Sequence, residues 1–114
     1  MKKYYLPVLL VMTAIIFSYC HSSKKATTAA PKLSYENNIQ TLIAANCSPC
    51  HIPSKGGNKK PLDTYTAAHD NIDDIIRRIE LNPTDKGFMP FKKPKLNDST
   101  IAVFRQWKTD GLLN

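Results

Sequence analysis

The chain has 114 residues, with 16 Lys and Arg against 9 Asp and Glu, for a formal net charge of +7. That length leaves room for one small domain whose side-chain core is marginal on its own. The basic excess suits acidic partner proteins first and anionic membrane surface second. No helix-turn-helix signature and no Arg-rich or aromatic-interleaved patch is present, which argues against nucleic acid, and no internal repeat is visible.

Lys2 and Lys3 precede an apolar run over residues 6–17. Twelve residues are short for a membrane span and suit the core of a signal peptide; a retained anchor helix is the alternative. The run ends at Phe17-Ser18-Tyr19-Cys20, which resembles the lipobox of bacterial lipoproteins. Ser18 fits that pattern, while Phe17 and Tyr19 depart from it. The resemblance implies a leader over 1–19 and lipidation of Cys20 as the first mature residue. Acyl chains there would give lasting membrane anchorage. Otherwise Cys20 is a stray thiol, a liability in an oxidising compartment. Residues 21–32 are small and polar without apolar periodicity, and His21 is a solvated member of this flexible linker.

Beyond the linker, Ser34 is placed to cap a helix over 35–46. Tyr35, Ile39, Leu42 and Ile43 form one apolar stripe on it. Cys47-Ser48-Pro49-Cys50-His51 follows at once. Its Cys-x-x-Cys-His spacing is that of c-type haem attachment. Two thiols three positions apart can each add to one vinyl group of a porphyrin, and the imidazole then lies under the iron. A bare Cys-x-x-Cys can also be a redox dithiol or half a zinc site. The first wants a βαβ context, and no strand-rich run flanks the motif. The second wants two more ligands; Cys20 lies outside the domain, and His69 is the only other histidine inside it.

With these residues the chain resembles a small monohaem class I cytochrome c over residues 33–114. The resemblance implies one covalent haem c on Cys47 and Cys50, with His51 as proximal ligand. A carbonyl of the loop 52–61 then accepts the other imidazole N–H, and Pro61 matches that position. Gly56 and Gly57 either admit backbone close to the porphyrin or simply turn the chain. A short helix follows Leu62, capped by Asp63 or Thr64, and His69 reads as a surface residue. Ile72, Ile75, Ile76 and Ile79 mark a helix over 71–81, its Asp and Arg residues forming a solvated face, and Asn82-Pro83 ends it. Met89-Pro90 matches the family's distal-ligand signature. The general alternative for Met89 is core packing. Lys55, Lys59, Lys60, Lys86, Lys92, Lys93 and Lys95 either ring the exposed haem edge or scatter as solubilising charges. A last helix begins after Asn97, buries Ile101, Phe104 and Trp107, and closes at Lys108 and Gly111. Trp107 reads as a core aromatic.

The expected fold is all-α and cytochrome c-like, with three main helices and a short one around the haem. The expected function is one-electron transfer, with His51 and Met89 as iron ligands and no catalysis by the isolated chain. The expected place is the periplasmic side of a bacterial envelope, as a lipid-anchored monomer. It would serve acidic redox partners of a respiratory or dehydrogenase chain, and no nucleic acid. A haem-based small-ligand sensor with a displaceable Met89 is the alternative. A peroxidase-like enzyme lacks a visible distal acid–base pair.

Overall fold

A computed structural model describes residues 30–114; the expected leader, Cys20 and the expected linker through residue 29 lie outside the described residues. Ser34 caps the first helix as its position suggests, its Oγ accepting the Asn37 N–H at 3.3 Å. Asn38 Oδ1 accepts the Ser34 N–H in return at 3.0 Å. Tyr35–Ile39 forms a π turn, which runs straight into α1, Gln40–Asn46. An ordinary α-helix was the expectation. Apolar residues four apart, Tyr35 and Ile39, fit either pitch over a single turn, so periodicity does not separate them.

After the motif and a 3-10 turn at Pro53–Lys55, Thr64 caps the short α2, Tyr65–Asp70, by accepting the Ala67 N–H at 3.2 Å. α3, Ile72–Glu80, follows directly and buries Ile72, Ile75 and Ile79. α4, Asp98–Thr109, starts at Asn97, whose Oδ1 accepts the Thr100 N–H at 2.8 Å. It buries Ile101, Phe104 and Trp107. Four helical segments and no strand are therefore present among the described residues. One isolated parallel bridge pairs Ser34 with Leu113. The fold is the expected all-α, cytochrome c-like one. No helix among the described residues is long and apolar enough to cross a membrane.

The core lies where the first helix, α2 and α4 meet. Trp107 is fully buried, with its ring centroid 6.2 Å from Tyr35 and 6.5 Å from Tyr65. Ile39, Ile43 and Phe104 are also fully buried, and burying each such side chain stabilises by about 1.5–3 kcal/mol. The C-terminal tail binds these elements together. Leu113 O accepts both Trp107 Nε1–H at 2.7 Å and Tyr35 N–H at 2.8 Å. Leu112 O accepts the Tyr65 hydroxyl at 2.9 Å. This packing orients α1 so that its C-terminal end delivers the motif, while α3 and α4 supply the facing walls.

Candidate functional site

The Cys-x-x-Cys-His stretch is a run of turns that continues α1. Cys47 N–H bonds to Ile43 O at 2.8 Å, His51 N–H to Cys47 O at 3.0 Å, and Ile52 N–H to Pro49 O at 3.0 Å. Each bond coils the chain, so residues 47, 50 and 51 project towards a common side, as near-helical spacing dictates. Burial pushes the Cys47 thiol up to about 11, with the Lys93 charge partly opposing the shift. Cys50 is exposed.

The loop that follows folds back under the motif. Lys59 N–H reaches Cys50 O and Leu62 N–H reaches His51 O, both at 3.0 Å. His51 Nδ1 then lies 2.7 Å from Lys60 O. A carbonyl can only accept, so Nδ1 carries the proton and the Nε2 lone pair faces away from this bond. The expected acceptor was Pro61; the acceptor is Lys60, one residue earlier. The two backbone bonds of Lys59 and Leu62 bracket that carbonyl, and a residue before proline is held extended, which turns Lys60 O onto the ring. The paired glycines have separate tasks. Gly56 takes φ +81° and closes the 3-10 turn. Gly57 permits close approach, but to the motif's own carbonyls: a β-carbon there would stand 2.3 Å from Pro49 O and 2.6 Å from Cys50 O.

The loop bearing Met89 hangs from the end of α3. Pro83 has no N–H, and the Asn82 N–H is taken by Asp85 Oδ2 at 2.8 Å. The Arg78 carbonyl is thus free of its next-turn partner and accepts the Met89 N–H at 3.2 Å. Phe88 and Pro90 on either side are buried, while Met89 is partly buried against the core. Lys93 Nζ donates to Ser48 O at 3.2 Å, tying this loop to the motif.

Cys47, Cys50, His51 and Met89 all line one apolar cavity of about 520 Å³, a size usual for small-molecule and cofactor sites. Leu62, Ile75, Ile79, Leu96 and Phe104 supply much of its apolar wall. A shallower depression of about 480 Å³ beside Asp73, Glu80 and Lys108 presents no thiol, imidazole or thioether. Two thiols, an imidazole and a thioether around an apolar slot fit a porphyrin that is covalently held and ligated through iron. His69 is not part of the lining; it is partly exposed, its Nδ1 2.9 Å from Asp70 Oδ1. Among the described residues no three His, Cys, Asp or Glu side chains gather to hold a bare metal ion.

Of the seven lysines considered for the cavity's edge, Lys59, Lys60 and Lys93 line it. Lys95 instead donates to Glu80 O at 2.7 Å, and Lys92 Nζ sits 5.3 Å from the Phe91 ring centroid. Asp74 and Arg78, expected on a solvated face, also line the cavity. The available signal was position: each immediately precedes a buried isoleucine of the α3 stripe, Ile75 or Ile79, and so borders its buried face.

An all-α domain wrapped on such a cavity, with a Cys-x-x-Cys-His turn in its wall, defines the class of c-type haem proteins. Residues 34–107 match the family model described as Cytochrome C oxidase, cbb3-type, subunit III, and the chain belongs to this family of cytochrome c domains. It is a small monohaem cytochrome c with a covalently bound c-type haem. No curated protein and no solved structure matches it.

Proposed function

We propose that this protein is a one-electron carrier in the bacterial cell envelope. In this reading Cys47 and Cys50 would hold the haem through thioether bonds, and His51 Nε2 and the Met89 sulfur would be the residues that ligate its iron. The observation that carries it is the placement of His51 and Met89 on the lining of one cavity, with His51 Nδ1 already bound to Lys60 O. Bound haem supplies a one-electron redox couple. His51 and Met89 would both bind the iron and leave it closed to a substrate. The Lys60 carbonyl holds the imidazole in one tautomer and raises its basicity as a donor. The Met89 thioether, a soft neutral donor, would favour the reduced ion and raise the potential. Leu62, Ile75, Ile79 and Phe104 exclude water, which limits reorganisation when the charge changes. Lys59, Lys60 and Lys93 would steer an acidic redox partner to the cavity's edge.

A Met89→Ala variant tests the ligation. It should keep covalent haem by pyridine haemochrome assay, lose the near-infrared sulfur-to-iron band, bind carbon monoxide when reduced, and show a lower midpoint potential. An unchanged band and potential would remove Met89 from the iron. Strong carbon monoxide binding by the unaltered protein would favour the small-ligand sensor instead.

The envelope placement rests on the sequence: residues 1–19 as a lipoprotein-type leader, Cys20 as the lipidated residue, and 21–32 as the tether. Cys20→Ser should move the protein from the membrane to the soluble fraction. Retention in the membrane would count against the lipid.

A further inference from the structure

The loop carrying Met89 is attached to α3 chiefly through one residue. Arg78 accepts the Met89 N–H on its backbone oxygen at 3.2 Å. Its guanidinium Nη1 donates to Gly87 O at 3.3 Å, two residues before the methionine. The guanidinium is held from the other side by Asp74, whose Oδ2 accepts from Arg78 Nε at 2.6 Å. Gly87 has φ +94°, and a β-carbon there would stand 3.3 Å from Arg78 Nη1, so the arginine lies directly under the loop. Planar Nε and Nη donors can engage Asp74 and Gly87 together, which a point-charge ammonium does not reproduce.

We infer that Arg78, oriented by Asp74, is a positioning residue that sets where the Met89 sulfur stands relative to His51. The inference rests on the ligation proposed above and adds a residue that touches neither iron nor sulfur through its side chain. The main-chain bond to Met89 survives any substitution at position 78, so the side-chain contribution can be tested separately. Arg77 provides the comparison: it also pairs with Asp74, carries the same charge, and is not part of the cavity lining.

The experiment uses holo-protein with Arg78→Met, Arg78→Lys and Arg77→Met, each reduced and oxidised. Pyridine haemochrome should report full haem in all three. Arg78→Met should lose most of the near-infrared sulfur-to-iron band. Its reduced form should also take up carbon monoxide about tenfold more readily, the factor expected for losing one hydrogen bond to a charged group. Arg78→Lys, which keeps charge and stem, should show a smaller loss in the same direction. It provides the reading if Arg78→Met does not fold. Arg77→Met should leave band and carbon monoxide uptake unchanged. An unchanged band in both Arg78 variants, with a midpoint potential shifted in Arg78→Met alone, would overturn the inference, since the arginine would then act through its charge and not through position. So would equal losses in Arg77→Met. If the unaltered protein itself lacks the band, the ligation by Met89 fails, which is a separate result.

Discussion

At position 57 the backbone leaves no room for a side chain. The site of a β-carbon lies 2.3 Å from Pro49 O, 2.6 Å from Cys50 O and 2.8 Å from Ile52 O. All three neighbours are main chain and cannot swing aside. Gly57 N–H also bonds Ile52 O at 3.1 Å, so moving away breaks a hydrogen bond. Gly57→Ala should therefore push the loop off the motif and disturb the Lys60 contact with His51. We expect a loss of about 2 kcal/mol, in the range for overpacking, and a melting temperature lower by roughly 10 °C for a domain this small. A thermal melt of holo-protein checks it, and an unchanged midpoint would refute the clash. From sequence, Gly56-Gly57 reads either as a turn or as a close approach of backbone to the porphyrin. Which glycine turns and which one packs depends on what lies behind it, and that is long-range information.

The tail after α4 shows how elements are joined. Gly111 and Leu112 both take positive φ, +98° and +56°, and reverse the chain so that Leu113 reaches the first helix. Leucine in that region costs about 1–2 kcal/mol; the bonds from Tyr35, Tyr65 and Trp107 to the tail offset it. At the same corner Asp110 accepts Leu33 N–H and Gln106 Nε2–H, each at 2.7 Å. These bonds, that of Leu33 first, hold its carboxyl below the ordinary value. A depressed carboxyl pKa stabilises the fold above the unfolded-state value of about 3.9, and that contribution fades as pH falls through the folded-state pKa. Asp110→Asn should thus be less stable than the unaltered protein at pH 7, and the gap should close below about pH 4. Urea melts across that range test it; a gap that persists undiminished in acid would show that charge is not the cause. The caps at Ser34, Thr64 and Asn97 were legible because each acts on residues two or three positions ahead. The bonds of Leu33, Tyr35 and Tyr65 to this end of the chain join residues some fifty to eighty positions apart and leave no local trace.

For the whole molecule, the cavity's edge is asymmetric in charge. Lys59, Lys60 and Lys93 line it together with Phe91, which is 66% exposed. An acidic redox partner approaching this edge would meet a positive field around an apolar centre. Electron-transfer rates with such a partner should fall about tenfold between 0.01 M and 0.15 M salt. The triple variant Lys59→Ala, Lys60→Ala, Lys93→Ala should flatten that dependence. Lys86→Ala with Lys95→Ala should leave it nearly unchanged, since neither residue lines the cavity. Stopped-flow mixing at several ionic strengths decides it, and equal slopes for the two variants would dismiss this face as the docking site.

Sequence alone determined whatever is written in short-range pattern. The helices follow from a 3.6-residue apolar period, the helix starts from their caps, and the haem motif from its spacing, because each involves residues within a turn or two of one another. Tertiary structure decided which carbonyl holds His51, which lysines reach the cavity's edge, and that Arg78 lies beneath the methionine loop. Those outcomes depend on how α3, α4 and two loops meet in space, and hydrogen bonds across such gaps impose no periodicity on the chain that makes them.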